Sequence, residues 1–429
     1  MSTFLLCATP VHGHVTPVLG IGRSLAARGH RVVMLTGSRF ADQVRDAGLE
    51  FRPLRGIADF DDRDVDAYLP DRNRYKGIAR AQYDIQTIFI TPIPDQFASV
   101  TAAINEVVPD ALLVDGAFAG VTPLLFGDAP RPPIVAVGVT PLSQSSADVA
   151  PFGMGLPPSP GVVGRLRNRT LGFIANRVIF RETHRLARRI LGDLGVRRVP
   201  RSVMDVSRSF DRFLQLTPAE LEYPRSDFGA STRFVGPVPP TPGETPLPSW
   251  WPDLDGSRRI VHVTQGTIDN SDLTRLIGPT IAALGSSESD APLVVVTLGG
   301  GGAGSAADLG ELPANVRIAE YLPYGELLPR CDVVITNGGF GGVLQALRAG
   351  VPLVVAGDTE DKPEVAARVA WSGVGVDLKT GTPTPEAIAS AVARVLGDNT
   401  FRDRARRMAE AIARLDTLDL IESELLALA

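Results

Sequence analysis

The chain has 429 residues, of which 44% are hydrophobic and 21% charged, a composition typical of a globular protein of about two to three domains. Its 43 Lys and Arg against 48 Asp and Glu give a net charge of −5, which offers no basic excess for nucleic acid. Two cysteines, Cys7 and Cys331, are too few for a disulfide framework. With neither a signal-peptide pattern nor a long apolar run, we expect a cytoplasmic protein without a membrane span.

Short apolar runs alternate with helical patterns along the first half of the chain, which predicts parallel strands joined by helices. The runs are almost continuously apolar, as in strands that are covered on both faces. The predicted strands are Phe4–Ala8, Arg31–Thr36, Ala111–Val114, Ile134–Val139 and Arg212–Leu216. A helix is predicted over Pro17–Arg28, ending before Gly29.

The second half repeats this alternation. Its predicted strands are Arg259–Val263, Leu293–Leu298, Val316–Ala319, Asp332–Thr336 and Leu353–Ala356. Its predicted helices are Gly341–Arg348, Pro363–Trp371, Glu386–Leu396 and most of Phe401–Leu428.

Proline is dense between the two halves, from Pro237 to Pro252, where neither a helix nor a central strand can continue. We therefore expect an N-terminal domain over 1–225, a semi-rigid linker over 226–256, and a C-terminal domain over 257–410. A last helix over 411–429 is expected to pack back toward the N-terminal domain.

Two further segments, Asp59–Lys76 and Pro151–Gly164, lack clear periodicity and are predicted to be long loops. Ordered loops of this length tend to be functional.

Two of the five histidines, His12 and His14, follow the first predicted strand. In a doubly wound sheet, the loop after this strand lies at the carboxyl edge, where ligands bind. A histidine there is able to accept a proton from a hydroxyl group near neutral pH, because its unperturbed pKa is about 6.5. The alternative is a loop histidine that caps the next helix or faces solvent.

Asp115 ends the apolar run Leu112–Val114. A carboxylate at this edge of the sheet would orient a histidine and stabilise its protonated form. Taken alone, Asp115 is better explained as the N-cap of a helix that begins near Phe118. In combination with His14, it favours an acid–base pair.

The run Asn337–Gly342 contains four glycines and joins a predicted strand to a predicted helix. Glycines let backbone N–H groups approach a ligand, and the N-terminus of a helix favours negative charge. Because four glycines carry a large entropic cost, we favour a diphosphate-binding turn over a turn that serves packing alone.

A second glycine run, Gly299–Gly304, matches the spacing of a dinucleotide fingerprint. That fingerprint also requires a helix at its last glycine, and Ser305–Gly310 does not predict one. We interpret the run as a mobile loop and expect no nicotinamide cofactor.

In combination, these segments resemble the nucleotide-sugar-dependent glycosyltransferases of family 1, above all the bacterial branch that glycosylates macrolides and other secondary metabolites. The likeness covers nearly the whole chain and implies an α/β protein of the GT-B fold. In that fold, two Rossmann-like, doubly wound parallel-sheet domains face each other across a cleft. The matching segments are His12–Pro17, Leu113–Asp115, Phe234–Pro237, Val261–Thr267, Tyr321–Leu328, Asn337–Gln345 and Gly350–Lys362.

By position, the resemblance makes His14 the general base, with His12 as second choice, and makes Asp115 the acid that orients it. The donor-binding residues that it implies are Thr267, Asn337, Gly338, Gly339, Gly341 and Gly342 at the diphosphate, Tyr321 and Leu322 at the nucleobase, Gln345 at the ribose, and Asp361 and Lys362 at the sugar. We expect the acceptor to enter between Asp59–Phe97 and Pro151–Arg185. The residues expected to contact it are His12, Phe89, Phe152 and Met154.

Three positions depart from the family pattern. Asn337 stands where His is usual, and an amide donates a hydrogen bond to phosphate without adding positive charge. Gln345 replaces the usual Glu and loses a charge-assisted bond to ribose. Lys362 replaces the usual Gln and either meets an acidic sugar or turns outward. These changes bear on donor choice and on activity.

The resemblance implies an inverting hexosyltransferase that uses a UDP- or TDP-sugar as co-substrate and needs no cofactor. The acceptor would be a hydroxyl of a polyketide, macrolide or phenol, and the protein a monomer or homodimer. No Asp-x-Asp motif or His/Cys cluster near the glycine turn indicates a metal. Two alternatives remain open, a nucleotide-sugar epimerase on the same fold and a catalytically silent sugar-nucleotide-binding protein.

Overall fold

The computed structural model describes residues 1–198, 202–240, 246–267, 270–300 and 304–429. Within them, the chain forms two parallel β-sheets, each with a hydrophobic cluster on both faces. Strands covered on both faces need apolar side chains at every position, which explains the continuous apolar runs of the sequence.

The N-terminal sheet has seven strands in the order β3-β2-β1-β4-β5-β6-β7. They are β1 Thr3–Cys7, β2 Arg31–Thr36, β3 Glu50–Pro53, β4 Ala111–Asp115, β5 Ile134–Gly138, β6 Arg212–Gln215 and β7 Thr232–Phe234. The α-helices of this half are α1 His12–Ala27, α2 Ala41–Asp46, α3 Val65–Tyr68, α4 Gly77–Ile85, α5 Ile93–Val107, α6 Thr122–Phe126, α7 Gly161–Ile174 and α8 Arg181–Asp193. Single π-helical turns, Gln86–Ile90 and Ala175–Ile179, extend α4 and α7.

The C-terminal sheet has six strands in the order β10-β9-β8-β11-β12-β13. They are β8 Ile260–Thr264, β9 Leu293–Thr297, β10 Val316–Ala319, β11 Val333–Thr336, β12 Leu353–Val355 and β13 Gly375–Asp377. The helices of this half are α9 Ile277–Leu284, α10 Tyr324–Leu327, α11 Phe340–Arg348, α12 Lys362–Ser372, α13 Pro385–Gly397, α14 Asn399–Ala413 and α15 Thr417–Leu426.

The prediction of two doubly wound parallel-sheet domains is confirmed, and the predicted strands agree with the observed ones to within one residue at each end. Strands β3, β7 and β13 were not predicted. Each lies at the edge of its sheet, where neighbouring elements cover it only in part. Fewer of its side chains therefore need to be apolar, and its sequence lacks a continuous apolar run. Because β7 belongs to the N-terminal sheet, that sheet extends into the segment where the linker was expected to begin.

Helix α1 begins five residues earlier than predicted, at His12, and contains Pro17. Proline is favoured in the first turn of a helix and disfavoured beyond it, so Pro17 inside α1 departs from the usual preference. His12 and His14 therefore lie in the first turn of a helix and not in a loop.

The expected long loops are partly helical. The segment Asp59–Lys76 contains α3 and one 3₁₀ turn, whereas Pro151–Gly164 is irregular up to Pro160, where α7 follows. Of the glycine run Gly299–Gly304, residues 301–303 lie outside the described residues.

The helix expected over Phe401–Leu428 is broken between α14 and α15. Helix α15 packs against α1 of the N-terminal half, where Ile421 and Leu425 are fully buried in the same cluster as Val18 and Ile21. In the described part of the chain, no helix is both long and apolar enough to cross a membrane.

Candidate active site

Both sheets have a point where the chain connections diverge to opposite sides, between β1 and β4 in the first and between β8 and β11 in the second. Such a point leaves a crevice at the carboxyl ends of the two strands. In the first sheet, His14 follows β1 and Asp115 ends β4. In the second sheet, Gln265 and Gly266 follow β8, and Asn337–Gly342 follows β11.

His14 and Asp115 form a hydrogen-bonded pair across the first crevice. The Nδ1 atom of His14 lies 2.9 Å from Oδ1 of Asp115, and Asp115 is fully buried. The carboxylate also accepts backbone N–H groups from Thr9 at 2.8 Å and Ala117 at 2.7 Å. Because a carboxylate only accepts hydrogen bonds, the Nδ1 atom of His14 carries the proton and the Nε2 atom is left as an acceptor.

Asp115 therefore both orients the histidine and caps the turn that follows β4. These roles were alternatives in the sequence, and one carboxylate fills both because its two oxygens accept several hydrogen bonds. The turn that it caps leads to a 3₁₀ helix over Ala119–Val121.

The pKa of His14 is raised above its ordinary value. Burial alone would lower it, but the charge and hydrogen bond of Asp115 outweigh burial, with further contributions from Asp361 and Asp62. Conversely, the pKa of Asp115 is lowered: burial would raise it, but His14 and the two backbone N–H groups stabilise the carboxylate. The pair is thus an imidazole beside a carboxylate that stays ionised.

The charge of Asp361, which lies immediately before α12 of the C-terminal domain, also raises the pKa of His14, so the two groups are within electrostatic range of each other. Burial and the neighbouring Glu360 raise the pKa of Asp361 to about 6, although Lys362 and His14 oppose this shift. A carboxyl group of the C-terminal domain therefore acts on the imidazole of the N-terminal domain.

Phe89 lies beside the ring of His14, whereas His12 has hydrogen-bond partners outside the His14–Asp115 pair. The ring centroid of Phe89 lies 5.7 Å from that of His14, which places an apolar side chain directly beside the imidazole. The Nε2 atom of His12 lies 3.4 Å from the hydroxyl of Thr16, and its backbone N–H donates to Asp62 at 2.6 Å. Burial lowers the pKa of His12.

The glycine turn Asn337–Gly342 adopts a conformation that only glycine takes readily at Gly338, where φ is +88° and an added Cβ would lie 2.8 Å from Val355. At Gly341 and Gly342, by contrast, an added Cβ would meet no atom within 4 Å. Open space therefore lies beside the first turn of α11, where N–H groups lack a partner within the helix.

The side-chain amide of Asn337 forms hydrogen bonds within the protein. Its Nδ2 group donates to the carbonyl of Gln265, and its Oδ1 atom accepts from Gly339 N–H at 3.4 Å. The amide thereby joins the turn after β8 to the turn after β11. Thr267, in the first of these turns, is exposed, and Gln345 is half-buried on α11.

Tyr321 and Leu322, both expected at the nucleobase, have different surroundings. Tyr321 is 53% exposed and lies so close to Gly300 that an added Cβ there would collide with its ring. Leu322 is buried in the hydrophobic core of the C-terminal domain. Of the two, only the ring of Tyr321 offers a free face.

Lys362 does not turn outward, which corrects one of the two expectations for it. Its side chain is buried, and Nζ donates to Oε2 of Glu360 at 2.7 Å and to Oγ1 of Thr359 at 2.8 Å. Glu360 in turn lies 3.6 Å from Arg72 of the N-terminal half, so this ion pair reaches across the cleft.

Phe152 and Met154 are half-buried in a segment that docks onto the C-terminal domain. The N–H groups of Gly153 and Gly155, which alternate with them, donate to the same oxygen of Glu364 at 2.9 and 2.8 Å. The sequence did not single out Glu364, because only the fold brings it to a loop more than 200 residues away.

Glu364 belongs to a buried ion-pair network between the domains. Arg368 donates to Glu364 at 2.7 Å within α12 and to Glu222 of the N-terminal half at 2.6 Å. Glu222 also lies 3.6 Å from Arg225, and the guanidinium of Arg368 lies 4.3 Å from the ring centre of Tyr223. The spacing of Glu364 and Arg368 by four residues was a signal in the sequence for their pairing.

A metal site is not apparent in the described residues, where no group of three or more His, Cys, Asp and Glu side chains is arranged to hold an ion.

Two family models match this chain. The N-terminal domain of glycosyltransferase family 28 matches residues 7–101, and the C-terminal domain of erythromycin biosynthesis protein CIII-like proteins matches residues 284–424.

The curated relatives are glycosyltransferases. The chain is 38% identical over 424 residues to 4'-demethylrebeccamycin synthase of Lentzea aerocolonigenes, covering 97% of this chain and 98% of that protein. It is 37% identical to UDP-glycosyltransferase 2 of Phaeomoniella chlamydospora, covering 97% and 93%. Among solved structures, the calicheamicin glycosyltransferase CalG4 superposes with a TM-score of 0.74 at 23% identity, over 100% of this chain and 98% of that one.

The chain therefore belongs to the family 1 glycosyltransferases with the GT-B fold, in the group that acts in secondary metabolism. The relatives come from bacteria and fungi alike. The relatives named above give no support to the epimerase alternative.

Proposed function

We propose that this protein transfers a sugar from a UDP- or TDP-sugar to a hydroxyl group of a small lipophilic acceptor such as a polyketide, macrolide or phenol, with inversion at the anomeric carbon. The observation that carries the proposal is the His14–Asp115 pair, 2.9 Å apart, with its imidazole within electrostatic range of Asp361 of the C-terminal domain.

His14 acts as the general base in this mechanism. Its Nε2 atom takes the proton of the acceptor hydroxyl while that oxygen attacks the anomeric carbon and the bond from this carbon to the diphosphate breaks. Asp115 stabilises the imidazolium that forms, as a buried carboxylate does in hydrolase triads. Since attack and departure occur on opposite faces of the carbon, the configuration inverts.

The nucleoside diphosphate leaves with the electron pair of the broken bond and stays bound at the turn Asn337–Gly342. Backbone N–H groups at the start of α11 stabilise its charge without a metal ion, because they are already oriented before the reaction. The open space beside Gly341 and Gly342 supports this role. In the same proposal, Thr267 faces the diphosphate, Tyr321 lies along the nucleobase, and Gln345 binds the ribose.

Asp361 binds the hydroxyl groups of the donor sugar in this proposal, since it is within electrostatic range of His14. Lys362 is paired with Glu360, so it holds the preceding turn in place and does not provide a free cation for an acidic sugar. A neutral hexose fits this arrangement better than a uronic acid.

The acceptor pocket lies between Phe89, which contacts the His14 ring, and the docked segment with Phe152 and Met154. Pockets for small lipophilic molecules are mostly apolar with few polar anchors. The 4'-demethylrebeccamycin synthase and the demethyllactenocin mycarosyltransferase among the relatives support an acceptor from secondary metabolism.

The decisive experiment compares His14→Ala with His12→Ala. Loss of a positioned base lowers the rate by roughly 10²–10⁴-fold. We therefore expect His14→Ala to lose transfer, measured by mass spectrometry with a panel of nucleotide sugars and aromatic acceptors, while calorimetry still detects donor binding. His12→Ala, which removes a residue expected to contact the acceptor but not the proposed base, should keep turnover and raise the KM of the acceptor. Near-wild-type turnover in His14→Ala would rule out the proposed base.

The same panel tests the alternative of a silent binding protein, which Asn337 and Gln345 motivate. A protein of that kind binds a nucleotide sugar by calorimetry yet glycosylates no acceptor in its wild-type form. An epimerase would convert donor with no acceptor present.

A further inference from the structure

Helix α7 presents its apolar side chains to solvent and its small or polar ones to the protein. Gly164 and Asn168 are buried, and so is Ala175 in the turn that follows. Gly164 packs so closely that an added Cβ would collide with Ser159, and Asn168 donates to the carbonyl of Ala147 at 3.1 Å. The outward side chains, exposed by 40% to 84%, are Val162, Val163, Leu166, Phe173, Ile174 and Val178.

Three of these side chains form a stripe together with Arg169. Val162, Leu166, Arg169 and Phe173 recur at intervals of four, three and four residues, which places them along a single face of α7. A surface helix normally shows the opposite arrangement, with its apolar face toward the core. Contiguous exposed apolar surface of this kind marks a site of interaction.

The same stretch is strongly basic. Residues 161–193 contain eight Arg and no Lys against Glu182 and Asp193, a net charge of +6 within a chain whose total is −5. Arg169 and Arg177 are exposed among the apolar side chains. Helices that lie in the interface of an anionic bilayer combine exposed apolar side chains with arginines or lysines that contact the lipid headgroups.

The stripe also adjoins the acceptor side of the cleft. Phe89, beside His14, lies in the π-helical turn that extends α4, and Gln86 of this turn donates to Thr183 of α8 at 2.9 Å. In the other direction, α7 follows directly from the segment that carries Phe152 and Met154. The segment on the N-terminal side of α7 and the helix α8 on its C-terminal side are thus both connected to residues of the proposed acceptor pocket.

From these observations we propose that α7 and the turn Ala175–Ile179 dock this protein peripherally on an anionic lipid surface. The apolar side chains enter the headgroup region, and the arginines contact lipid phosphates. A second copy of the chain fits less well, because the arginines on the two copies of this face would repel each other. Binding at this face does not depend on which sugar or acceptor the enzyme uses.

The test is flotation of the purified full-length protein with vesicles of phosphatidylcholine, with and without phosphatidylglycerol, at low and high salt. We expect the wild type to float with the anionic vesicles at low salt, and to be released by high salt because screening weakens the attraction. The neutral vesicles should bind much less protein.

Two pairs of substitutions locate the surface. Removing two arginines with Arg169→Gln/Arg177→Gln should weaken partition roughly 30-fold, since each cationic side chain contributes about fivefold. Leu166→Ser/Phe173→Ser should also reduce binding, through lost apolar insertion. The matched control is Arg406→Gln/Arg407→Gln, two exposed arginines of α14, which should leave flotation unchanged. Because all these side chains are exposed, thermal unfolding should remain close to that of the wild type.

Three outcomes contradict the proposal. One is a wild-type protein that does not float with anionic vesicles at low salt, and another is flotation that neither pair of α7 substitutions reduces. The third is a wild-type dimer that the α7 substitutions convert to a monomer, which would identify the stripe as an interface between copies.

Discussion

At the scale of single residues, the candidate site depends on one carboxylate. Asp115 accepts hydrogen bonds from His14 and from two backbone N–H groups, so it is held in place and stays ionised although it is fully buried. Its charge is also the main reason why the pKa of His14 lies above the ordinary value in spite of burial. The position and the basicity of the imidazole therefore have the same cause.

The raised pKa of His14 predicts the pH dependence of the reaction. His14 serves as a base only when its Nε2 atom is unprotonated, and its pKa is raised, so kcat/KM should fall on the acidic side beginning at a pH above about 6.5. In Asp115→Asn, burial acts on His14 without the opposing charge. The acidic limb should therefore move to lower pH, while the plateau rate drops by roughly 10²-fold or more.

The control for this profile is Asp110→Asn, an aspartate at the other end of β4 whose carboxylate accepts Thr3 N–H at the protein surface. It should leave the profile of the wild type unchanged. An acidic limb that stays at the same pH in Asp115→Asn would show that another group titrates.

At the scale of elements, α12 connects the two domains through its sequence of charged residues. Asp361 precedes it, Glu364 holds the segment with Phe152 and Met154, and Arg368 pairs with Glu222. Buried ion pairs of this kind are costly to form, but removing one partner leaves the others without compensation. The helix therefore fixes the C-terminal domain and the segment with Phe152 and Met154 relative to each other.

Arg368→Met tests this arrangement. Because it leaves Glu222 and Glu364 buried without their cation, we expect the free energy of unfolding in urea to fall by about 3–5 kcal/mol. Arg414→Met is the matched control, since Arg414 forms an exposed pair with Glu220 across the same boundary at 3.7 Å. Exposed pairs contribute at most about 1 kcal/mol. Equal effects of the two substitutions would contradict a special role for the buried network.

At the scale of the whole molecule, the chain crosses between its domains twice. It leaves the N-terminal sheet after β7 and returns through α15, which buries Ile421 and Leu425 against α1. Glu422 of α15 accepts from His30 at 2.9 Å if that nitrogen carries a proton, and also contacts Arg28. The N-terminal core is therefore completed by the last residues of the sequence.

Ile421→Ala is expected to destabilise the N-terminal domain although the substitution lies near the C-terminus. Truncating a fully buried isoleucine costs about 2–5 kcal/mol through lost apolar contacts and the cavity that remains. Urea unfolding followed by circular dichroism measures this change. Leu420→Ala, at a neighbouring and exposed position of the same helix, should change stability by less than about 1 kcal/mol.

The sequence determined the parts of this protein that local chemistry controls. Central strands need continuous apolar runs, so β1, β4, β8 and β11 and the turns after them were predictable, and with them the positions of His14, Asp115 and the glycine turn. The edge strands β3, β7 and β13 and the start of α1 were not, because short half-covered strands and a proline inside a helix depart from the usual local preferences.

Tertiary structure alone decided which distant groups meet. Only the fold places Glu364 under Gly153 and Gly155, turns Lys362 inward onto Glu360, and leaves the apolar face of α7 exposed. The physical reason is that the spacing of apolar residues in the sequence indicates which side chains share a face of a helix or strand, but not which element packs against that face. Hydrogen bonds and ion pairs between residues far apart in sequence depend on how the elements pack, and that packing supplies the partners.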